Sequence, residues 1–245
     1  MVKNSVRGVV VLAVCWLSAG AMQARDLPNL LQLDVFVLGG GSSLVDPQTF
    51  TQAGRLYHGR MELGPKFTIG VAVPYGKLLS IETAFTTGPN DLFLANENIF
   101  PHVSGPPAAV TYPSRTYIGS LSAVVHAPFA FHRFHPYAAG GVEYDRFSPT
   151  PGAITTAKNS GFAAVSTALI THNDKLGINV GVGLDRKLTK RLTLRIDLRD
   201  HVTSSPAFGL PPRPTTDSLG ASFPVSGRAN NMVYTAGIVF HLGKL

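Results

Sequence analysis

Cysteine is almost absent: of 245 residues only Cys15 carries a thiol, and it sits in the first two dozen. Once that segment is removed, neither disulfides nor thiolate chemistry are available, and packing and backbone hydrogen bonds must hold the chain together. A second absence is any long apolar run beyond the N-terminal segment. A helix needs about 20 apolar residues to cross a bilayer, so a helical membrane protein is excluded, although mean hydropathy is slightly positive at +0.16. Phosphate-cradling loops are missing as well. Gly140, Gly141, Gly181 and Gly183 lack the strand-to-helix setting that such a loop requires, and they read as strand glycines that ease curvature and close packing. The pair His132 and His135 in "HRFH" has no carboxylate or thiol beside it and falls in a turn. No metal site and no cofactor are expected.

The N-terminus does carry a signal. Lys3 and Arg7 precede an uncharged, mostly apolar stretch from Gly8 to Met22, and small residues follow in "SAGAMQA". That is the layout of a secretory leader, expected to span 1–24 with cleavage after Ala21 or Ala24 and to leave 25–245 as the mature chain. A lipoprotein site at "LAVC" would want a small residue where Val14 stands. Lys3 and Arg7 contribute two to the formal net charge of +7, so an excess of five remains after export. A basic exported protein meets envelope lipid or polysaccharide, and nucleic acid is not an expected partner.

Period-2 alternation then recurs in eight segments, roughly 31–42, 66–74, 77–87, 115–127, 136–147, 175–186, 191–203 and 231–242. Each is near the 9–11 residues or so that a tilted strand needs to span a bilayer, and alternation of this kind is the weak signature of a transmembrane barrel. Short links at 74–77, 128–135 and 187–190 alternate with long ones at 43–65, 88–114, 148–174 and 204–230. Glycine and proline are plentiful, 25 and 18 residues. The long links are rich in Pro, Gly, Ser, Thr and Asn, as in "VSGPPAAVTYPS" and "PAFGLPPRPTTDS", so they read as loops. Outer-membrane barrels pair tight periplasmic turns with long external loops. A periplasmic start places all four long links outside.

One parity keeps charge off a single face throughout. Leu31, Leu33, Val35 and Val37 form one row, with Gln32, Asp34 and Phe36 opposite; Leu79, Ile81, Thr83 and Phe85 face away from Ser80, Glu82 and Ala84. In the segment from Leu192 the leucine and isoleucine row opposes Thr193, Arg195, Asp197 and Arg199. A soluble sandwich would put those charges in water and the leucines in a core. A barrel would put the charges in its lumen and the leucines in lipid.

Three stretches carry a family likeness: "HPYAAGGVEYDRF", "KLGINVGVGLDRKLTKRLTLRIDLRDHV" and the closing "YTAGIVFHL". Over about residues 30–242 the chain resembles the small eight-stranded outer-membrane barrels of the OmpA-like and OmpW-like kind, without a peptidoglycan-binding domain. The resemblance implies an all-β, eight-stranded antiparallel up-and-down transmembrane β-barrel in the outer membrane of a Gram-negative bacterium. It also implies an assembly signal at Thr235, Gly237, Phe240 and Leu242. The partners it implies are outer-membrane lipid and lipopolysaccharide, with the β-barrel assembly machinery and periplasmic chaperones during biogenesis. Such families usually stop at an aromatic residue, whereas here Gly243, Lys244 and Leu245 trail beyond Leu242.

The lumen of an eight-stranded barrel is just wide enough for side chains to fill. Asp34, Glu82, His126, Glu143, Asp145, Arg195, Asp197 and Arg199 are therefore expected to form a polar plug, paired because an unpaired buried charge costs several kcal/mol. The expected function is non-enzymatic, a structural or surface-interaction role through the external loops, whose sequences name no ligand. One alternative is a narrow channel for small or hydrophobic solutes. Another follows from likeness to barrels that modify lipid A, which use a serine and a histidine near the outer rim. "RDHVTSSP" offers Asp200, His201, Ser204 and Ser205 for that role.

Overall fold

The computed structural model describes residues 32–44, 48–52, 55–62, 64–76, 78–98, 108–153, 172–204, 206 and 228–243. The expected leader at 1–24 with both expected cleavage positions, and the interiors of the links 148–174 and 204–230, lie outside the described residues. Twelve strands follow in chain order: β1 Leu33–Leu44, β2 Gln48–Gln52, β3 Arg55–Met61, β4 Gly64–Tyr75, β5 Leu79–Pro89, β6 Leu92–Asn98, β7 Ala108–Tyr112, β8 Ser114–His126, β9 Phe134–Pro149, β10 Asn173–Lys187, β11 Leu192–Ser204 and β12 Arg228–Leu242.

Eight of them close a barrel in the order β1-β12-β11-β10-β9-β8-β5-β4, antiparallel throughout. They correspond to the eight alternating segments of the sequence, each barrel strand pairing with its neighbours along the chain. The ring shuts where β1 meets β12, from Leu33 opposite Leu242 to Leu44 opposite Asn231. Closure leaves no sheet edge within the wall, the condition for a strand structure to survive in hydrocarbon.

Side chains decide between the lipid and soluble readings. On β10, Leu176 is 80% exposed and Val182 57%, while Asn179 between them is fully buried. On β11, Arg195, Asp197 and Arg199 are buried at 4–6% exposure, and Ile196 and Leu198 point out. Charge inside and apolar surface outside is the reverse of a water-soluble core, and only a lipid surround makes the outer face favourable. The barrel is therefore a transmembrane one. Inside, two glycines make room for aromatic rings: a Cβ on Gly183 would strike Tyr137, and one on Gly70 would strike Phe36.

The first two long links differ from the loops expected of them. Segments 43–65 and 88–114 hold β2, β3, β6 and β7, which form a four-stranded sheet in the order β2-β3-β6-β7. That order repeats β1-β4-β5-β8 in the wall, because each outer strand continues the barrel strand beside it in sequence. β3 precedes β4 with two residues between, β6 follows β5, and β7 precedes β8 with only Pro113 between. The two hairpins are laced together by β3 on β6, from Arg55 opposite Asn98 to Met61 opposite Leu92. They form a crown over half of the wall. Pro65, Pro89 and Pro113 mark the seam between wall and crown, where a residue without an N–H can interrupt a ladder. The same prolines made the links look irregular in sequence.

At the opposite end lie the short turns. Gly76 supplies a positive φ of 74° between β4 and β5. Between β8 and β9, Phe131 and Phe134 exchange two backbone hydrogen bonds of 2.8 Å around His132 and Arg133, whose φ values are 49° and 74°. Positive φ at both central residues is the geometry of a type I′ hairpin turn.

Candidate functional site: the charged lumen

Alternation on β5, β9, β10 and β11 sends one polar row from each strand into the lumen, and three clusters result where a single network was expected. The central cluster is built on Glu82. Its Oε2 accepts from Arg195 Nη1 at 2.8 Å, and its Oε1 accepts from Arg199 Nη2 at 2.5 Å. Arg195 also donates from Nε and Nη2 to the two oxygens of Asp185, both at 2.9 Å. Arg199 Nε donates to Asp197 Oδ1 at 3.0 Å, and Tyr137 donates its hydroxyl to Asp197 Oδ2 at 2.5 Å. The Arg195 guanidinium lies 4.9 Å from the Tyr137 ring centre and 5.4 Å from that of Phe36, within reach for cation–π attraction.

This cluster crosses the lumen from β5 to β9, β10 and β11. Glu82 is 1% exposed. Three carboxylates face two guanidiniums, an excess of one negative charge, with His126 flanking Asp185 at 4.0 Å. Bidentate arginine–carboxylate pairs hold geometry as well as charge, so the cluster acts as a cross-brace. Beside it lies a cavity of ≈ 20 Å³, room for about one water molecule. Phe36, Leu38, Ala84 and Val233 form its apolar side, while Glu82, Asp197, Arg199 and His201 form its polar side.

A second cluster sits at the end with the short turns. His241 Nδ1 meets Asp34 Oδ1 at 2.7 Å, and its Nε2 meets Thr193 Oγ1 at 2.8 Å. The third occupies the half beneath the crown. His201 Nδ1 meets Glu143 Oε2 at 2.6 Å, and Ser122 donates to Asn179 at 2.8 Å. Pairing is incomplete here. Glu143 Oε1, Asp145 Oδ1 and both amide atoms of Asn231 are buried without a hydrogen-bond partner, contrary to the expectation that every lumen charge would be paired. At the seam, Lys66 is 3% exposed. It donates to Asn90 Oδ1 at 2.5 Å and to the Pro89 carbonyl at 3.2 Å. Asn90 in turn donates to the Glu62 carbonyl at 3.0 Å, and Ser114 donates to the Asn90 carbonyl.

Of the lumen residues expected from sequence, Glu82, Arg195, Asp197 and Arg199 come together. Asp34 and Glu143 join other clusters, His126 flanks Asp185, and Asp145 lies beside the third cluster with its Oδ1 lacking a hydrogen-bond partner. Asp185, Tyr137, Lys66, Asn90 and His241 complete the clusters. Parity alone could have found Asp185 and Lys66, since each lies on the inward row of its strand.

The catalytic candidates are separated. His201 is buried and held by Glu143, whereas Ser204, an odd number of residues along the same strand, is exposed on the opposite face. Asp200 also lies on the outward row, and Ser205 is outside the described residues. The described residues thus assemble no serine–histidine pair. In the assembly-signal stretch, Thr235 is buried in the lumen, and Phe240 and Leu242 face outward at 43% and 49% exposure. Gly237 lies where a Cβ would collide with the Val37 carbonyl of β1. Among the described residues no group of three His, Cys, Asp or Glu side chains is placed to hold a metal.

A closed, antiparallel, eight-stranded ring with an apolar outer face and a charged lumen defines a transmembrane β-barrel of the outer-membrane type. No family model and no curated relative matches the chain. Among solved structures it is similar to OprG of Pseudomonas aeruginosa, at 13% identity and a TM-score of 0.52, covering 86% of this chain and 96% of that one. Neisserial surface protein A aligns at 12% identity and a TM-score of 0.46 over 86% and 96% of the two chains. Ail of Yersinia pestis aligns at 10% and 0.39 over 86% and 100%. The chain has the fold of the small eight-stranded outer-membrane barrels.

Proposed function

We propose that the chain is an exported outer-membrane protein of a Gram-negative bacterium, non-enzymatic, whose lumen is a structural plug and whose crown and external links present a surface to the outside. The Glu82–Arg195–Arg199 cross-brace carries this reading. It ties β5 to β11 across the lumen, and buried charges in such geometry separate only at a cost of several kcal/mol. In this reading the short turns face the periplasm and the crown faces outward. Outer-membrane lipid and lipopolysaccharide then surround the wall, and chaperones and the assembly machinery bring it there.

A second reading, a narrow path for small ions, is favoured by one observation. One half of the lumen holds buried polar atoms without partners, and a separate water-sized cavity adjoins the central cluster, places that water or an ion could occupy. Planar-bilayer recording of the refolded mature chain separates the two. A plug gives no unitary current, and Glu82→Gln leaves the bilayer silent. Steady unitary currents from the unaltered protein would refute the plug in favour of the path.

A further inference from the structure

The rim with the short turns is strongly basic. Arg133, Arg186, Lys187, Lys190 and Arg191 are all exposed there. None of these five cations forms an ion pair with a described residue. The acids of this end, Asp34 and Asp185, are turned into the lumen and engaged by His241 and Arg195. The surface therefore has cations and no compensating carboxylate among the described residues of the rim.

Arg186 is the informative member. It follows Leu176, Ile178, Val180, Val182 and Leu184 on the lipid-facing row of β10, so it stands where that row leaves the hydrocarbon. Phe134, its register partner on β9, lies under it with the guanidinium carbon 5.5 Å from the ring centre. A stacked guanidinium is pre-oriented and keeps its N–H fork free for an anionic acceptor. Beside it is the β8–β9 knuckle, where Phe129 and Phe131 are 64% and 66% exposed. Aromatic side chains of this exposure settle at the level of lipid headgroups. His132 and Arg133 at its tip are the only non-glycine residues with positive φ among those described.

We infer that this basic and aromatic rim is a docking surface for anionic phospholipid, binding the headgroup phosphate of the leaflet it meets through Arg186, with Arg191, Lys187, Lys190 and Arg133 around it. The occupant is a lipid and not a soluble anion because the lead cation lies on the hydrocarbon-facing row and is flanked by exposed aromatics. The inference rests on the membrane-barrel reading above. Each basic side chain near an anionic surface contributes roughly a fivefold gain in binding, so several together give a clear preference.

The mature chain, refolded in neutral detergent, is offered equal amounts of phosphatidylglycerol and phosphatidylcholine, and retained lipid is read by native mass spectrometry. Phosphatidylglycerol is expected to be retained about tenfold over phosphatidylcholine. The preference should vanish in Arg186→Gln/Arg191→Gln and fall in Lys187→Gln/Lys190→Gln, which guards against a folding defect in the first pair. Arg115→Gln, an exposed cation at the other end, should keep the preference. Equal retention by the unaltered protein, or a preference surviving in both rim pairs, overturns the inference. Faster migration of unheated samples on a detergent gel is read in parallel. A chain that lacks this shift overturns the barrel reading itself, and a shifted chain without lipid preference overturns the docking surface alone.

Discussion

Replacing Arg195 by Met should destabilise the barrel far more than replacing Glu82 by Gln, although the two groups share a hydrogen bond. Arg195 serves two carboxylates through three hydrogen bonds of 2.8–2.9 Å and lies over two aromatic rings. Its loss leaves Glu82, Asp185 and Asp197 facing Arg199 alone, so the excess of one negative charge becomes two. Breaking a buried pair from one side costs about 3–5 kcal/mol, and Arg195→Met should fall in the upper part of that range. Glu82→Gln instead removes the excess charge. Asp185 still holds Arg195 bidentately, Asp197 still holds Arg199, and the amide oxygen can accept one of the two lost bonds. The remaining deficit is about one charge-assisted hydrogen bond, 1.5–3 kcal/mol. Urea titration in lipid vesicles, with folded and unfolded bands separated on unheated gels, measures both. The assignment of charges in the cross-brace is refuted if Glu82→Gln proves as damaging as Arg195→Met.

Ile238→Arg should lower folded yield sharply, since arginine near mid-bilayer on a barrel's outer face costs about 2–4 kcal/mol. His241→Arg places the same charge in the lumen against Asp34 and should fold in the same membrane preparation; the reverse order would invert the face assignment. Gly183→Val puts side-chain atoms where the Tyr137 ring lies and should cost about 1–3 kcal/mol by overpacking, which the same titration reads. Lys66→Met removes the donor shared by Asn90 and the Pro89 carbonyl at the seam. Limited proteolysis within 92–112 should then become faster while the wall still resists boiling-free detergent, and an unchanged cleavage rate would show that the seam does not hold the crown.

The wall was legible because one rule, an apolar outward row with the mid-strand charges on the other, needs no knowledge of partners, although Phe36, Leu38 and Val239 also turn inward. It puts Arg195, Asp197 and Arg199 on the inward row, where they are buried, and pairs the closing strand with the first. The crown was not legible, since β2, β6 and β7 are short and lie between prolines, and such stretches look like loops until β3 meets β6 across the gap. Clustering was beyond parity as well. Which inward residues meet depends on strand stagger and on gaps opened by glycine: Tyr137 reaches Asp197 because Gly183 is bare. The separation of His201 from Ser204 was present in their odd spacing, and proximity in sequence obscured it.

Closure of the ring by the first and last strands has a kinetic meaning. Asp34 and His241 sit 207 positions apart in the chain, so this seam has the longest loop to close, about 2 kcal/mol dearer in chain entropy than a twenty-residue hairpin. Pairing of such separation comes late in folding. Until β12 arrives, β1 waits with one row of N–H and C=O groups open to any passing strand. The barrel that ends with no edge thus begins with one, and the interval between synthesis of Leu33 and docking of Leu242 is when the chain is most open to wrong pairing.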